Sequence, residues 1–370
     1  MKMNPEITDP LIDLSLWMNK HSFVVWRNPG EKDQKGFKAT VSILAEGSFP
    51  IKDAFIFSPF NSNGRFPAIA FYPKDDVLDN GLPDSEDPIP VYITNDIPDS
   101  ESDYCKRIEL LTGMMKNGLL HKCVLSRRIN IDDPDETMAP ELFTQLCNRY
   151  PDAFVSLIHI PHVFTWTGAS PERLLKLKNQ KAYTTSLAAT RPYKGALPDI
   201  SEWNTKEKEE QQLVTDFILQ VLKNEKVHSV DCNGPLSMQA GNLVHIKTDI
   251  HFSTTPQTDI VSLIKALHPT PAVCGLPKEK ALNMINSIEP HEREYYAGFL
   301  GPVTKDNLEL YVNLRCMRWL DGKPSLFVGG GITAASVPEQ EWEETNFKAQ
   351  TLLDVIEKIC NLAGKNPDAH

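Results

Sequence analysis

Two residues in the middle of the chain, Lys122 and Glu172, are of the types needed for paired proton transfer. Lys122 opens a run of strand-like apolar residues, and Glu172 follows Gly168-Ala-Ser-Pro171 at the start of another strand-like segment. A lysine at such an edge is usually an exposed charge, but in an enclosed site its pKa can fall far enough for it to act as a general base. A carboxylic acid across a bound ring could then protonate a leaving hydroxyl. On opposite sides of a bound ring, such a pair could add water at one carbon and remove a hydroxyl at another.

Two further carboxylates could hold a cation. Glu210 extends the apolar face of a predicted helix, because Leu213, Val214 and Phe217 follow it at helical spacing. A carboxylate that points inward must be paired, protonated or bound to a metal. Glu344 lies one helical turn before Lys348, and an ordinary surface ion pair would explain both. If Glu210 and Glu344 converge, their oxygen atoms make a site typical of Mg²⁺.

The last third of the chain also offers groups that bind carboxylates. Arg315 has apolar neighbours, so it is expected to be partly buried, where it would form either a structural salt bridge or a fork for a ligand carboxylate. The glycines 329–331 lack the spacing of a dinucleotide-binding loop but allow backbone N–H groups to approach a ligand closely. His268, just before Pro269-Thr-Pro271, is about equally typical of a hydrogen-bonded core histidine and of a ligand contact.

The elements that must position these residues can be predicted from hydrophobic spacing. The spacing predicts helices over 104–119, 204–226, 277–288 and 338–362, and Asn204 with Glu207 forms a capping-box pattern at the second of them. The predicted strands are 22–26, 54–57, 122–127, 153–160, 162–167, 173–178, 182–186, 308–318 and 325–329. Asn179-Gln180 suggests a hairpin turn. Strands that follow one another with few intervening helices favour an α+β fold with mainly antiparallel sheets.

Composition excludes several classes of function. The chain has 370 residues, 41% of them hydrophobic, and a net charge of −11, which disfavours nucleic acid and anionic membranes as partners. No apolar run is long enough to span a bilayer and the N-terminus has no signal-peptide core, so a cytoplasmic protein is expected. The seven cysteines are scattered without a C-x-x-C pair, which argues against a disulfide framework or a zinc site.

Read together, these motifs resemble those of the chorismate-utilising enzymes, in collinear order over residues 104–362. The resemblance is carried by the following segments: Lys122-Cys-Val-Leu-Ser-Arg127, Ser170-Pro-Glu-Arg173, Leu187-Ala-Ala-Thr-Arg191, the segment 206–214 around Glu210, His268–Gly275, Glu289-Pro-His-Glu-Arg-Glu294, Arg315, Gly329–Gly331 and Glu341–Lys348. It implies an α/β sandwich of antiparallel sheets wrapped by helices. Residues 1–103 would form a shortened, divergent N-terminal part of the fold, 104–362 the catalytic core and 363–370 a tail.

The resemblance also implies an activity, that of isochorismate synthase. Lys122 would activate water for attack at C2 of chorismate, and Glu172 would protonate the departing C4 hydroxyl. Glu210 and Glu344 would bind Mg²⁺, and Arg315 with the Gly330 region would bind the enolpyruvyl carboxylate. The remaining matched positions around the substrate are Ala188, Ala189, Thr190, His268, Glu294 and Lys348.

Particular positions discriminate among the activities of this family. Enzymes that add ammonia lack the lysine that matches Lys122, and one amination subfamily has a nucleophilic lysine where this chain has Ala188. Water is therefore the expected nucleophile, and no glutaminase subunit is expected. Salicylate synthases share the Lys122 and Glu172 pair, so they remain the alternative enzyme, and a non-catalytic carboxylate-binding homologue is the alternative outside catalysis.

The chain departs from the family pattern at two positions. Ala189 stands where the family usually has a glycine, and Gln211 stands where it usually has a histidine. A monomer is expected, and menaquinone synthesis is weakly favoured over siderophore synthesis as the pathway.

Overall fold

The computed structural model describes residues 14–18, 20–50, 52–61, 65–74, 99–305 and 307–362. Within these ranges, sixteen strands form one continuous sheet in which every strand pairing is antiparallel. Helices pack around this sheet. The predicted α+β class with antiparallel sheets is therefore confirmed.

The strands, in chain order, are β1 Phe23–Arg27, β2 Lys35–Ile43, β3 Ala54–Ser58, β4 Ile69–Pro73, β5 Lys122–Asn130, β6 Phe154–Ile160, β7 Phe164–Ser170, β8 Arg173–Lys178, β9 Lys181–Pro192, β10 His228–Ala240, β11 Leu243–Ser253, β12 Gly275–Leu276, β13 Phe299–Val303, β14 Asn307–Val312, β15 Cys316–Leu320 and β16 Lys323–Ile332. The helices are α1 Ser15–Met18, α2 Glu101–Lys116, α3 Ala139–Arg149, α4 Thr205–Asn224, α5 Ile260–Leu267, α6 Lys278–Ile288 and α7 Pro338–Leu362.

The sheet divides into two half-sheets that meet where β1 pairs with β2. The first half-sheet has the strand order β1-β6-β7-β15-β16-β5-β12, and the second has the order β10-β11-β9-β8-β14-β13-β3-β4-β2. The chain crosses between them several times, and two of the crossings are short: one follows β7, at 171–172, and the other follows β14, at 313–315. These two crossings matter for the site, because each one carries a residue with predicted chemistry.

The first half-sheet lies between two large apolar cores, one on each face. Its strands are therefore apolar at successive positions and not only at alternate ones. The larger core contains side chains of both half-sheets, such as Trp26, Phe55, Leu310 and Phe327, together with residues of α2, α4, α5 and α6. The smaller core lies between the first half-sheet and helices α3 and α7. Strands β1 and β6 therefore bury every residue, as expected for strands that are covered on both faces.

Several local predictions are confirmed. Asn204 caps α4, its side chain accepts the N–H of Glu207, and Glu207 returns the bond, which completes the capping box. Asn179 and Gln180 have φ values of 50° and 67° and join β8 to β9 in a tight hairpin, the geometry of a two-residue turn that twists with its strands.

Other local predictions are wrong. The single strand predicted over 308–318 is two strands, β14 and β15, which belong to different half-sheets. The hairpin β10–β11 was not predicted, because residues 228–236 of β10 are exposed on both faces and lack an alternating pattern. Helix α2 begins at Glu101 and ends at Lys116, three residues earlier at each end than the predicted helix over 104–119. Among the helices that are described, none is long and apolar enough to cross a bilayer.

Candidate active site

A cavity of about 730 Å³, partly open to solvent, lies between the two half-sheets. The two short crossings, 171–172 and 313–315, both line it, since Glu172 follows β7 and Arg315 precedes β15. The first half-sheet adds the glycines of β16, and α7 adds Glu344 and Lys348. The second half-sheet adds residues of β9, and α4 adds Glu210. Residues separated by more than two hundred positions therefore share one cavity.

Lys122 lies directly behind one wall of this cavity. Its side chain is 0% exposed, and its Nζ is 2.9 Å from Oε1 of Glu210. Within the described part of the chain, Nζ has no hydrogen-bond partner with good geometry. Gly331 packs against both Lys122 and Glu210. A Cβ added at Gly331 would lie 2.4 Å from Glu210 Oε1 and 3.0 Å from Lys122 Cε. Lys122 is therefore buried and not exposed as is usual for a lysine at the end of a strand. Position 331 must be glycine for Lys122 and Glu210 to approach each other here.

Glu172 is a buried acid with the proton affinity that its predicted role needs. Burial raises the pKa of Glu172 to about 7, although the positive charges of Lys122 and Lys348 and a hydrogen bond with Thr270 oppose this shift. A carboxyl group with this pKa is protonated in a substantial fraction of molecules near neutral pH. It can therefore donate a proton to a leaving group.

Three carboxylates at or beside the cavity, those of Glu210, Glu341 and Glu344, are each paired with a lysine. Besides the pair of Lys122 and Glu210, Lys348 Nζ lies 2.7 Å from Glu344 Oε1, and Lys206 Nζ lies 2.9 Å from Glu341 Oε1. The pKa of Glu341 is raised by burial and by the negative charge of Glu344. The carboxylates thus crowd together and need positive charge between them.

The donor set suits a magnesium ion that keeps part of its water shell. No group of three or more His, Cys, Asp or Glu residues in the described ranges is arranged to hold a metal by itself. Mg²⁺ usually takes only one or two protein carboxylates, and water and substrate complete its coordination. Glu210 and Glu344, which line the same cavity from different helices, fit that requirement.

Arg315 is held by two partners and is 9% exposed. Its Nη1 donates to the carbonyl of Ala240 at 3.0 Å, and its Nη2 lies 2.8 Å from Nε2 of His245. His245 Nδ1 in turn lies 2.8 Å from the carbonyl oxygen of Ala189. Because a carbonyl only accepts and a guanidinium only donates, Nδ1 carries the proton and Nε2 accepts. Burial and the charge of Arg315 hold the pKa of His245 well below 6.5, so this ring stays neutral and fixes the direction of Arg315.

Ala189 forms part of a β-bulge that points at the cavity. The register between β9 and β11 shifts so that Ala189 and Thr190 oppose His245 alone. Ala189 has a φ of 60°, which is the left-handed conformation that glycine adopts easily in such bulges. This geometry explains why a glycine is usual here. The Thr190 hydroxyl lies 3.3 Å from His245 Nδ1, and Ala188 lines the cavity beside it.

The glycines of β16 and Lys348 of α7 lie side by side in one wall of the cavity. Lys348 Nζ donates to the carbonyl oxygen of Gly329 at 2.9 Å. An added Cβ at Gly330 would lie 3.4 Å from Glu341 Oε2. The predicted close approach of backbone in this segment is therefore present, and it brings the strand near the carboxylates of α7.

Two predicted positions lie away from the cavity. His268 Nε2 bonds the carbonyl oxygen of Ala297 at 3.0 Å, and burial lowers the pKa of His268 to about 4, so it is a neutral core histidine. Glu294 is buried in an ion pair with Arg318. Neither residue lines the cavity in the described structure, and the prediction that His268 contacts substrate finds no support in this geometry.

Sequence reasoning also missed residues that do line the cavity, namely His245 and Tyr296. His245 lies in Leu243-Val-His-Ile246, where the apolar neighbours signal a buried strand but not which face is functional. Tyr296 lies at the end of the segment after Glu294 and is buried, which raises its pKa. Only the pairing of β11 with β9 reveals that His245 faces Ala189.

Comparison with known proteins agrees with this geometry. Residues 76–357 match the family described as "Chorismate binding enzyme", a span that contains every candidate residue above. The chain belongs to the chorismate-binding enzymes. It is 30% identical over 268 residues to the vibriobactin-specific isochorismate synthase of Vibrio cholerae, an alignment that covers 69% of this chain and 66% of that protein.

A second relative and a solved structure extend the comparison. The isochorismate synthase EntC of Escherichia coli is 30% identical over 242 residues, which cover 64% of this chain and 62% of EntC. The chain thus spans slightly less than two thirds of the length of both relatives. The structure of MenF, the menaquinone-specific isochorismate synthase of Escherichia coli, superposes with a TM-score of 0.73 over 95% of this chain and 92% of MenF, at 20% identity. At that identity the likeness establishes the fold.

Proposed function

We propose that this chorismate-binding enzyme is an isochorismate synthase that converts chorismate reversibly to isochorismate with Mg²⁺. The observation that carries the proposal is the placement of Lys122 and Glu172 at one cavity, one beside Glu210 and the other with a pKa near 7. A binding protein has no need of a buried lysine and a buried carboxylic acid of raised pKa beside one cavity. Relatives named as isochorismate synthases support the same activity.

The reaction requires one water to enter and one to leave. Lys122 acts as the general base and accepts a proton from water as the water oxygen bonds to C2. Both ring double bonds shift, and the C4 hydroxyl leaves as water with the proton of Glu172. The water that departs balances the water that adds, so the net change is an isomerisation. Because each proton-transfer residue ends in the opposite protonation state, the same pair can run the reaction in reverse.

The remaining groups bind and orient the substrate. Arg315, held by His245, directs its guanidinium toward the enolpyruvyl carboxylate, and Ala188–Thr190 supply one wall of the ring pocket. Glu210 and Glu344 would hold Mg²⁺, which would neutralise the ring carboxylate when bound. Lys348 keeps Glu344 in place through the contact of 2.7 Å.

One assay separates this proposal from its alternatives. The protein is incubated with chorismate and Mg²⁺, and the products are resolved by chromatography. We expect isochorismate; salicylate with pyruvate would instead indicate a salicylate synthase, and absence of turnover would indicate a binding protein. Lys122→Ala should lower kcat by a factor of about 100 to 10,000, whereas Lys280→Ala, an exposed lysine of α6 outside the cavity, should leave it unchanged. Comparable kcat values for the two variants would contradict the role of Lys122.

A further inference from the structure

Gln211 is the first residue of α4 whose side chain is buried. The six residues before it, Thr205–Glu210, are exposed or half-buried, whereas Gln211 is 2% exposed. It stands where the family usually has a histidine, and the proposed reaction makes no use of its amide. Because a buried amide needs hydrogen-bond partners, its contacts indicate its role.

The amide of Gln211 is surrounded by three buried hydroxyl groups. Its Nε2 lies 2.8 Å from Oγ1 of Thr248, 2.9 Å from Oγ1 of Thr215 and 3.0 Å from Oγ of Ser186. Ser186 belongs to β9 and Thr248 to β11, and these two residues are paired across the strands. None of the three is more than 6% exposed. The amide therefore bonds α4 to both of the strands on which it packs.

The hydroxyl groups are also matched to one another. Ser186 Oγ lies 2.8 Å from Thr215 Oγ1, and Thr215 Oγ1 donates to the main-chain carbonyl oxygen of Gln211 at 3.3 Å. The buried residues that follow on α4, Val214 and Ile218, belong to the larger apolar core. A polar network beside an apolar core favours one arrangement, because a shift of the helix leaves a buried group unpaired.

Glu210 depends on this attachment for its direction. It precedes Gln211 and so points about 100° away from it around the helix axis, into the catalytic cavity that it lines. Its Oε1 lies 2.9 Å from Nζ of Lys122, and a Cβ at Gly331 would lie 2.4 Å from the same oxygen. The space for the carboxylate is therefore narrow, and a small rotation of α4 would move it out of place.

Two ion pairs also hold this end of α4. Arg191 pairs with Glu207 and Lys206 pairs with Glu341, and the side chains of Arg191 and Lys206 are 32% and 33% exposed. Ion pairs that solvent reaches contribute little to stability. The buried network around Gln211 is therefore the stronger attachment of the first two turns of α4.

We propose that Gln211 is a positioning residue that fixes α4 on β9 and β11 and thereby directs Glu210 into the cavity. Gln211 acts through Glu210 and touches none of the reacting atoms. The inference rests on the proposed function in one respect, the assignment of Glu210 to Mg²⁺. The attachment itself is a property of the folded chain.

Hydrogen exchange of the intact protein tests the attachment without turnover. Gln211→Leu keeps the size of the side chain but removes the amide, so the backbone amides of 208–213 should exchange at least about tenfold faster, and those of 218–224 should change by less than about twofold. Gln212→Leu is the matched control, because Gln212 is exposed and bonds to the exposed Asp216. It should leave the exchange of both segments unchanged.

Calorimetric titration with Mg²⁺ tests the consequence for Glu210. Gln211→Leu should raise the Kd for Mg²⁺ by about five- to tenfold. Its kcat at saturating Mg²⁺ should fall by less than about threefold, because Lys122 and Glu172 are not on α4. Gln212→Leu should leave both values unchanged. A role confined to stability would leave the Kd of the folded variant as it is in the original protein.

Thr248→Val provides a milder test that remains decisive if Gln211→Leu does not fold. It removes one contact of the network, so it should speed exchange over 208–213 by about threefold to tenfold. Unchanged exchange there in the folded variants would overturn the proposal, as would faster exchange in Gln211→Leu with an unaltered Kd for Mg²⁺. If the original protein binds no Mg²⁺ or does not convert chorismate, the proposed function fails, and the exchange experiment still decides whether Gln211 holds α4.

Discussion

Glu172 shows how a single buried group can link catalysis to stability. Its pKa is about 7 in the folded protein, against an ordinary value of 4.5. The folded protein therefore holds the proton over a pH range in which the unfolded chain has released it. The resulting stabilisation is present below pH 4.5 and is lost as the pH rises through 7, and it amounts to about 3 kcal/mol at most.

The variant Glu172→Gln tests that link. Glutamine keeps the shape but cannot ionise, so the variant should match the original protein near pH 4 and be more stable by up to about 3 kcal/mol at pH 8. Its kcat should fall by a factor of about 100 or more. Urea unfolding at both pH values, without divalent cations, measures the difference. Parallel stability curves over this range would contradict the shifted pKa of Glu172.

Ala189 is a residue whose importance the sequence suggests but whose geometry it cannot give. The resemblance marks Ala189 as an unusual replacement of glycine, but the left-handed backbone at 60° follows from a register shift between β9 and β11. No local pattern encodes that shift. The same limit applies to His245, whose role depends on which face of β11 meets the bulge, and to His268, whose place in a motif does not bring it to the cavity.

A pair of alanine-to-glycine changes in β9 measures the strain at the bulge. At Ala182, buried at ordinary φ, the change should cost about 1.5 kcal/mol through lost burial and added chain entropy. At Ala189 the same losses are offset by relief of about 1–2 kcal/mol of left-handed strain, so the net change should be near zero. Denaturant unfolding of both variants checks this, and equal destabilisation would show that the bulge at Ala189 is unstrained.

At the scale of elements, helix α7 brings Glu344 and Lys348 to the cavity, and one arginine of β5 contacts the turn that carries Glu344. Arg127 Nε donates to the Thr345 hydroxyl at 2.7 Å, and its Nη2 bonds Asn346. Its guanidinium lies 3.7 Å from the centre of the Trp342 ring. These contacts involve the same turn of α7 that carries Glu344. The sequence predicted the helix and its length correctly, because its apolar spacing is regular, but not this attachment.

Removing part of the contacts of Arg127 should destabilise the attachment of α7 less than removing most of them. Thr345→Val removes two hydrogen bonds, the one accepted from Arg127 Nε and the one donated to the carbonyl oxygen of Trp342, and should cost about 1–2 kcal/mol of unfolding free energy. Arg127→Lys loses the planar fork and the stacking on Trp342 and should cost about 2–3 kcal/mol. Arg127→Lys should raise the KM for chorismate more than it lowers kcat, because the helix that it loosens, α7, carries Glu344 and Lys348 but neither Lys122 nor Glu172. Denaturant unfolding and steady-state kinetics provide the two measurements. A fall in kcat alone would contradict the positioning role of Arg127.

At the scale of the whole molecule, the candidate site lies where the two half-sheets face each other. Glu210 belongs to α4, which packs on β9 and β11 of the second half-sheet, and Glu344 belongs to α7, which packs on β16 of the first. The antiparallel class and most strands could be predicted from apolar runs and turn residues. The division into half-sheets could not, because it depends on which connections cross from one half-sheet to the other, and crossings such as 171–172 and 313–315 look in the sequence like ordinary loops.

This arrangement predicts that Mg²⁺ stabilises the whole fold rather than one loop. A cation held by Glu210 and Glu344 joins elements of both half-sheets, so at a hundred times its Kd it should add about 2.7 kcal/mol to the free energy of unfolding and raise the Tm. Glu344→Gln should remove the Mg²⁺-dependent part of the Tm, and Glu343→Gln, an exposed neighbour on the same helix, should retain it. Differential scanning calorimetry with Mg²⁺ and with EDTA measures both. Equal Mg²⁺-dependent shifts in the two variants would place the cation elsewhere, and a Tm insensitive to Mg²⁺ in the unaltered protein would refute a bridge between the half-sheets.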